Sequence, residues 1–395
     1  MRFIFKNILT LILCFCAVSG YCYSRYIFSL KWGESGTGTG QFDNPYRIIQ
    51  DKSGNIYVSD RENHRIQKFD STGKFILEWG SFGSDDGKFN RPHGIAIDNN
   101  NYIYVADYEN NRIQNFDSVG NFIFKINSSY CNDLAVAENG KIYILDYQDC
   151  NINIFSSAGI LLSSWGEPGS ENGQFYKPQA IALDRFSNIY ICDQMNNRIQ
   201  KFDSTGKFIL KFGTKGVGNG QFDTPYDVVI DSLNYIFVVD YGNNRIQKFD
   251  SSGNFITKFG LKGNGNGQFN GPTGLCIDKD GCIYVADCIN SRIQKFYNND
   301  YLNVAENNIQ QVSNLKLSPN PFFSTINIKI TNPLKNSIIK IYNLLGKEIQ
   351  SYVISESSLK DYNQTIQLLN YPSGIYYFVY FFDNSILTQT AILLK

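Results

Sequence analysis

The fold follows from one stretch of sequence. It runs Gly220-Gln-Phe-Asp-Thr-Pro-Tyr-Asp-Val-Val-Ile-Asp231, then Ile236-Phe-Val-Val-Asp240, then Asn244-Arg-Ile-Gln-Lys-Phe249. An Asp-Ser-Ser-Gly turn follows, and the stretch ends with Phe255-Ile-Thr-Lys-Phe-Gly260. The segments 228–231 and 236–240 are nearly continuous apolar runs, which are typical of strands covered on both faces. The Asp-Ser-Ser-Gly tetrapeptide supplies a glycine for a hairpin turn. The stretch therefore predicts four short strands.

The same order of residues recurs along the chain. It starts again at Gly40, Gly87, Gly173 and Gly267, and the Arg of its Arg-Ile-Gln step falls at positions 65, 112, 198, 245 and 292. These arginines are 47 residues apart except across the gap from 112 to 198, which holds a shortened sixth copy. That copy lacks the Gly-Gln-Phe loop and has Asn151 in place of the arginine. Four-stranded units at a period of roughly 40 to 50 residues are the blades of a propeller, so we predict an all-β, six-bladed β-propeller.

The two ends of the repeat region predict how the ring closes. The sixth copy stops after Phe296 and has no fourth strand, whereas an unattached strand of that type, Tyr26-Ile-Phe-Ser-Leu-Lys-Trp-Gly33, stands at the start. Pairing of this N-terminal strand into the last blade would remove two exposed sheet edges. We therefore predict a closed ring in which the first strand completes the sixth blade.

The repeat residues resemble a known family. The segments Pro92-His-Gly-Ile-Ala-Ile-Asp98, Tyr104-Val-Ala-Asp107 and Asn111-Arg-Ile-Gln114 closely resemble the NHL repeat, and the resemblance extends over about residues 25 to 297. Propellers of that type serve in RNA binding, extracellular ligand sensing, protein interaction and, in relatives, lyase or lactonase catalysis. The resemblance therefore implies the fold and leaves the function open.

A second resemblance covers about residues 314 to 395. The segments Leu317-Ser-Pro-Asn-Pro-Phe322, Ile339-Lys-Ile-Tyr-Asn-Leu-Leu-Gly-Lys-Glu-Ile349 and Tyr371-Pro-Ser-Gly-Ile-Tyr-Tyr377 are similar to the C-terminal sorting domain of the type IX secretion system. Such domains are small β-sandwiches recognised by the export machinery at the outer membrane, so the resemblance implies that machinery as a partner. The polar segment 298–313 is predicted to be a linker.

The first residues predict a secretory signal. Arg2 and Lys6 precede or flank the start of an apolar run from 8 to 18, which is too short to span a bilayer, and small residues follow it. Cleavage after Ser19 and cleavage after Ser24 both fit the pattern. The predicted domains are a signal peptide at 1–24, the propeller at 25–297, the linker at 298–313 and the sorting domain at 314–395. We expect a mature chain without a transmembrane segment, either secreted or at the outer cell surface.

Composition argues against two classes of function. The chain has 36 basic and 36 acidic residues, so it lacks the broad basic field that nucleic-acid binding needs. His64 and His93 are its only histidines, whereas a catalytic zinc site commonly uses several. Turns such as Asp51-Lys-Ser-Gly-Asn55 are too short for an EF-hand loop. We therefore predict no catalytic residue, no metal site and no cofactor, and a calcium ion or other metal in the channel stays open only as an implication of the family.

Five copies carry an Asp and an Arg five residues apart, and such a pair could hold a ligand or brace the blade. A structural ion pair explains the recurrence better than an active site does, because one active site would not need five identical pairs. The pairs are Asp60/Arg65, Asp107/Arg112, Asp193/Arg198, Asp240/Arg245 and Asp287/Arg292.

Positions that differ between copies are the candidates for a ligand site, since the identical residues build the ring. One set follows the proline before each first strand, another follows the Asp that ends each second strand, and both sets should lie at one mouth of the channel. Their mixture of aromatic, amide and charged groups suits a peptide or a glycan, and a solvated rim without a ligand is the alternative. The predicted ligand-binding residues are Tyr46, Arg47, Arg61, His93, Tyr108, Asp133, Tyr147, Gln179, Tyr226, Asp227 and Tyr241.

The shortened copy also carries Cys131 and Cys150, in loops that should share a face. An exported protein meets an oxidising environment in which disulfides persist. We therefore predict that these two cysteines form a disulfide that compensates for the missing loop and arginine.

Two hypotheses of function follow from these residues. The first is a secreted or cell-surface propeller that binds an extracellular protein, peptide or glycan and needs no catalytic residue. The alternative is an extracellular metal-dependent lyase or lactonase with its site in the channel, for which Asp133, Asp227 and His93 are the supporting residues.

Overall fold

The computed structural model describes residues 26–298, 315–318, 322, 324–331, 337–343, 348–354, 361–368, 370–382 and 385–393. The chain divides into two units, Met1–Tyr297 and Asn298–Lys395. The predicted signal peptide and nearly all of the predicted linker lie outside the described residues. Among the residues described, no helix is long and apolar enough to cross a membrane.

Six four-stranded antiparallel sheets form the first unit. From the channel outward, the strands of blades one to three are Pro45–Gln50, Ile56–Asp60, Arg65–Phe69 and Phe75–Trp79; Pro92–Ile97, Ile103–Asp107, Arg112–Phe116 and Phe122–Asn127; and Cys131–Val136, Ile142–Asp146, Asn151–Phe155 and Leu161–Trp165. Those of blades four to six are Ala180–Leu183, Ile189–Asp193, Arg198–Phe202 and Phe208–Phe212; Pro225–Ile230, Ile236–Asp240, Arg245–Phe249 and Phe255–Phe259; and Pro272–Ile277, Ile283–Asp287, Arg292–Asn298 and Tyr26–Trp32. The smaller elements are three 3-10 turns, Tyr108–Asn110, Gln194–Asn196 and Cys288–Asn290, and the paired two-residue strands Glu167–Pro168 and Gln174–Phe175. The six-bladed propeller predicted from the repeat is confirmed.

The N-terminal strand Tyr26–Trp32 closes the ring by pairing with Arg292–Asn298, as the unattached strand in the sequence predicts. Its two ends also reach the neighbouring blades. The Tyr26 ring lies 4.6 Å from the Phe259 ring of blade five, and the Trp32 ring lies 5.8 Å from the Phe69 ring of blade one. One strand therefore joins three blades.

The hydrophobic core lies in the seams between neighbouring blades. At the closing seam, Ile48 and Val58 of blade one pack with Tyr284 of blade six. The Gly-Gln-Phe loops, of which the second has Lys88 in place of the glutamine, add a fully buried phenylalanine to five seams, at Phe42, Phe89, Phe175, Phe222 and Phe269. This packing explains the glycine that follows five of the six outer strands, since a Cβ on Gly33, which has a φ of +92°, would lie 2.5 Å from the Phe42 ring.

The C-terminal unit consists of two antiparallel sheets. One has the order Leu315–Ser318, Thr325–Thr331, Asp361–Gln367, and the other has the order Glu348–Ile354, Ser337–Asn343, Gly374–Phe382, Ser385–Leu393. Isoleucines spaced two residues apart face a shared core, with Ile326 and Ile328 from one sheet and Ile339 and Ile341 from the other. The unit is thus a small β-sandwich, as the second resemblance implies.

Candidate functional site

Five similar hydrogen-bond networks attach each Gly-Gln-Phe loop to its blade. In blade one, Arg65 Nε donates to Asp60 Oδ2 at 2.8 Å, and Arg65 Nη2 donates to two carbonyl oxygens of the loop. The other oxygen of Asp60 accepts the backbone N–H of Asp43 at 2.8 Å. The same Nε–Oδ2 distance is 2.7 Å in four further blades, for Arg112–Asp107, Arg198–Asp193, Arg245–Asp240 and Arg292–Asp287. All five pairs therefore have internal partners that account for the recurrence of the motif.

The third blade lacks this network, and no disulfide replaces it. Cys131 and Cys150 are both free thiols. Cys131 packs in the seam with blade two, whereas Cys150 packs in the seam with blade four, so the two side chains lie on opposite faces of one sheet. A disulfide needs Cβ atoms that face each other within about 4.5 Å. The predicted disulfide is therefore wrong, because the seams on both sides of blade three each take one cysteine into the core.

A single arginine, Arg47 in the innermost strand of blade one, crosses the centre of the channel. Its Nη2 atom donates to the carbonyl oxygens of Gln179 and Tyr226, at 2.8 and 2.9 Å, and its Nη1 atom donates to that of Thr273. Its Nε atom lies 3.5 Å from Asp133 Oδ2 and 3.9 Å from Asp227 Oδ1. These partners come from blades three to six, so one side chain connects five blades across the axis.

Small residues next to Arg47 leave room for its side chain. The residues at the corresponding position, taken in ring order from blade one, are Arg47, Gly94, Asp133, Ala180, Asp227 and Gly274. A Cβ on Gly274 would lie 2.5 Å from the Tyr46 carbonyl oxygen, and one on Gly94 would lie 2.5 Å from Asp133 Oδ1. The arginine is thus flanked by two glycines and faces the two acids on the far side of the ring.

The two buried carboxyl groups share this one cation. Burial raises the pKa of Asp133 to about 7, an effect that Arg47 opposes and the neighbouring Asp227 reinforces. Burial also raises the pKa of Asp227, again against the effect of Arg47. Each carboxyl has a backbone partner as well, since Asp133 accepts the Ile181 N–H at 3.2 Å and Asp227 accepts the Leu275 N–H at 2.8 Å. With one carboxyl readily protonated, the channel is close to neutral.

These acids are also the ligands that a channel metal ion would need. Arg47 already lies within 4 Å of both, and a second cation at the same place would be repelled by its charge in a buried, low-dielectric setting. Over the described ranges of the chain, no group of three or more His, Cys, Asp or Glu side chains could hold a metal ion. The channel residues therefore do not fit the metal ion that the family resemblance leaves open.

At the residue before the Arg47 position in each blade, a polar layer joins blades both around the channel and across it. The layer consists of Tyr46, His93, Asn132, Gln179, Tyr226 and Thr273. The side chain of Gln179 donates to the Tyr46 hydroxyl, and Asn132 Nδ2 donates to the Gln179 carbonyl oxygen at 2.7 Å. Asn132 Oδ1 lies 2.9 Å from Nδ1 of His93. These bonds hold the His93 ring in one orientation.

The channel mouth is formed by the residues that follow the second-strand aspartates, which are Arg61, Tyr108, Tyr147, Gln194, Tyr241 and Cys288. Tyr108 stacks on His93 with ring centroids 4.2 Å apart, and Tyr241 stacks on Tyr226 with centroids 4.7 Å apart. The guanidinium carbon of Arg61 lies 5.4 Å from the centre of the Tyr46 ring. The mouth therefore presents tyrosine rings and the Arg61 cation above a closed channel.

The structure separates the predicted ligand residues into two groups. The buried group is Tyr46, Arg47, His93, Asp133, Gln179 and Asp227, and the partly exposed group is Arg61, Tyr108, Tyr147, Tyr226 and Tyr241. The expectation that Arg47, Asp133 and Asp227 lie at the mouth is corrected, because the attraction of both acids to Arg47 brings the three side chains together in the channel.

The sequence-based site omits two residues of this region. Asn132 orients His93, and the Nζ atom of Lys177 lies 4.5 Å from the centre of the Tyr147 ring. Asn132 could have been included, since it stands at the same position in its repeat as His93 and Gln179. Lys177 offered a weaker signal. It stands just before the innermost strand of its blade, at a position where the residue type differs between repeats.

Comparison with known proteins covers both units of the chain. A family described as NHL repeat matches residues 42–69, 89–116 and 269–296, and one described as 6-bladed beta-propeller matches residues 133–209 and 187–250. A family described as secretion system C-terminal sorting domain matches residues 316–394. Among curated proteins, the B-box type zinc finger protein ncl-1 of Caenorhabditis elegans is 43% identical over 51 residues, which is 13% of this chain and 6% of that protein. The match thus spans a small fraction of the relative.

Solved propellers share the architecture at low sequence identity. A streptogramin B lyase structure superimposes with a TM-score of 0.51 at 16% identity, over 69% of this chain and 97% of the other. A protein of unknown function from Bacteroides thetaiotaomicron VPI-5482 superimposes with a TM-score of 0.54 at 17% identity, over 69% of this chain and 75% of the other. At these identities the likeness extends to the fold alone.

Proposed function

Because this chain is an NHL-repeat, six-bladed β-propeller that carries a secretion system C-terminal sorting domain, we propose that it is an exported binding module whose channel mouth holds an extracellular protein, peptide or glycan. The sorting domain supports export by type IX secretion to the cell surface or the medium, with the secretion machinery as its first partner. The propeller would then act outside the cell.

The observation that carries this proposal is the contrast between the channel and its mouth. The channel is closed by Arg47, whose side chain is 4% exposed and whose hydrogen bonds go to backbone carbonyls of three other blades. The mouth keeps Tyr108, Tyr147 and Tyr241 partly exposed. Aromatic side chains at a surface with a few polar groups are typical of recognition sites.

The lyase or lactonase hypothesis receives no support from these contacts. It depends on Asp133 and Asp227 as metal ligands, and both are engaged by Arg47. His93 is buried between two tyrosine rings, with its Nδ1 atom bonded to Asn132. The likeness to the lyase structure concerns the fold and carries no residue of an active site to this chain.

The test compares two ends of the same propeller. The mature chain is applied to arrays of printed glycans and synthetic peptides, and the affinity for the best ligand is then measured by calorimetry. The mouth variant combines Tyr147→Ser with Tyr241→Ser. The matched control combines Tyr102→Ser with Leu233→Ser, in exposed turns at the opposite ends of the innermost strands.

We expect the mouth variant to lose roughly tenfold or more in affinity, because each stacking aromatic ring contributes about 0.5–1.5 kcal/mol beyond its buried area. The control should bind within about twofold of the unmodified chain. A ligand that is retained by the mouth variant and lost by the control would contradict the proposal.

A further inference from the structure

Two buried polar atoms beneath the mouth lack a hydrogen-bond partner. His93 is 5% exposed, and neither its Nε2 atom nor the Nε atom of Arg61 is hydrogen-bonded. Both side chains contact Tyr46, since the His93 ring stacks 4.5 Å from the Tyr46 ring and the Arg61 guanidinium carbon lies 5.4 Å from its centre, and the charge of Arg61 acts on His93. Unpaired buried polar groups are costly, so they identify places where a ligand group would be favourable.

The hydrogen-bond network determines the tautomer of His93. Asn132 donates its Nδ2 to the Gln179 carbonyl, which can only accept, so the amide oxygen of Asn132 must face His93. That oxygen also only accepts, so the proton of His93 lies on Nδ1 and Nε2 carries a bare lone pair. Burial lowers the pKa of His93 to about 3, with the charge of Arg61 as the next cause, so the ring stays neutral. The unpaired Nε2 is thus a permanent acceptor.

Arg61 supplies the opposite function beside it, because its Nε–H can only donate. The Arg61 side chain is 28% exposed, and its ion pair with Glu62 is long, at 3.6 Å. It is therefore held loosely and can turn to admit a ligand group. A group that satisfies both atoms must accept a hydrogen bond from Arg61 and donate one to His93 at the same time.

Few ligand groups meet that requirement. A carboxylate or phosphate only accepts and would be repelled by the lone pair of His93, and an ammonium only donates and would be repelled by Arg61. A hydroxyl does both, whether it belongs to a sugar or to a serine, threonine or tyrosine side chain, so the choice between them rests on the neighbouring rings. The tyrosine faces of Tyr108 and Tyr241 next to it carry negative electrostatic potential and suit the polarised C–H face of a sugar ring.

Resting on the proposed function, we propose that the ligand of the mouth is a neutral carbohydrate, with one hydroxyl bridging Arg61 Nε and His93 Nε2 and its ring lying on the mouth tyrosines. The closed channel below makes this a surface site that takes an end or a face of the glycan. A uronic acid could meet this requirement only through one of its hydroxyls and not through its carboxylate, because the group at His93 must be a hydrogen-bond donor.

The chain itself allows a direct observation of this contact. It has only two histidines, so ¹⁵N-histidine labelling of the full mature chain yields ring-nitrogen signals from two imidazoles only, Nδ1 and Nε2 of each. His64→Asn assigns them, and it is a mild change because Asn111, Asn197 and Asn244 stand at the corresponding positions with the same positive φ as His64. The probe is the neutral oligosaccharide that binds best on an array that also carries uronic-acid glycans and peptides.

We expect the ¹⁵N signal of His93 Nε2 to move upfield on saturation with that oligosaccharide, as a lone pair does when it accepts a hydrogen bond, while the His64 signal stays in place. Arg61→Met should weaken binding roughly ten- to hundredfold, since the lost bond has a charged donor. Arg91→Met is the matched control on the same face, because Arg91 is more exposed and pairs with Glu62 and Glu109, and its affinity should change less than twofold.

The outcomes separate this inference from the proposed function. Peptide binding at the mouth without glycan binding would overturn the carbohydrate assignment and leave the binding module standing. Glycan binding with an unmoved His93 signal and an unaffected Arg61 variant would overturn the bridging contact. Absence of both ligand classes, or binding that no mouth variant weakens, would overturn both proposals.

Discussion

Replacement of Arg47 by methionine is the most informative perturbation of the propeller. Arg47→Met keeps the length and apolar part of the side chain but removes the hydrogen bonds to the carbonyls of Thr273, Gln179 and Tyr226. It also leaves Asp133 and Asp227 buried without a cation. Removal of one partner from a buried ion pair typically costs about 3–5 kcal/mol.

The magnitude can be worked from the carboxyl groups. A buried, unpaired carboxyl must be protonated, and against an unfolded pKa of about 3.9 this costs about 1.36 kcal/mol per pH unit, or about 4 kcal/mol at pH 7. Asp133 already has its pKa raised to about 7, so the added cost falls mainly on Asp227. With the lost hydrogen bonds, the expected loss in unfolding free energy is about 4–6 kcal/mol at pH 7.

The same reasoning predicts the sign of the pH dependence. The folded pKa values of both carboxyls lie above those of the unfolded chain. Between about pH 4 and 7 the folded state therefore binds protons that the unfolded state does not, and stability rises as the pH falls. At pH 5 the Arg47→Met variant should recover about 2 kcal/mol relative to the unmodified chain, because protonation of Asp227 costs less there.

Urea unfolding followed by tryptophan fluorescence measures this directly, because Trp32, Trp79 and Trp165 are the only tryptophans and all belong to the propeller. Arg47→Met combined with Asp227→Asn should restore part of the loss at pH 7 and remove most of the extra pH dependence. Arg91→Met is the exposed control and should stay within about 0.5 kcal/mol. An Arg47→Met variant that unfolds at the same urea concentration as the unmodified chain, or gains nothing at pH 5, would refute the account of the channel.

Two further predictions concern the ring and its cysteines. Trp32→Ala in the closing strand should lower the unfolding free energy by about 3 kcal/mol, measured by circular dichroism in urea, because the indole ring packs against blades one and six. Ile27→Ala, at an exposed position of the same strand, should change the unfolding free energy by less than about 1 kcal/mol. Equal effects of the two substitutions would argue against closure of the propeller through this packing. The chain from residue 25 onward should show six reactive thiols when denatured without reductant, at Cys131, Cys150, Cys192, Cys276, Cys282 and Cys288, and a count of four would restore the disulfide.

The sequence alone determined the architecture, because a propeller repeats one local unit. The spacing of the Arg-Ile-Gln step counts the blades, and the missing fourth strand of the last repeat predicts the pairing of Tyr26–Trp32 with Arg292–Asn298. The Asp and Arg of each pair stand five residues apart across one hairpin, as Asp60 and Arg65 do, so their contact is also a local property.

The candidate site is different, because its contacts join residues far apart in the chain. The sequence identified the variable positions but placed Arg47, Asp133 and Asp227 at the mouth, whereas Arg47 reaches residues more than 130 positions away, at Gln179 and Tyr226. Which blades face each other across the axis is decided only when the ring closes. The faces on which Cys131 and Cys150 lie are likewise set by sheet register. The repeat thus specifies the ring locally, and closure of the ring decides which side chains share its centre and which are left for a ligand at its mouth.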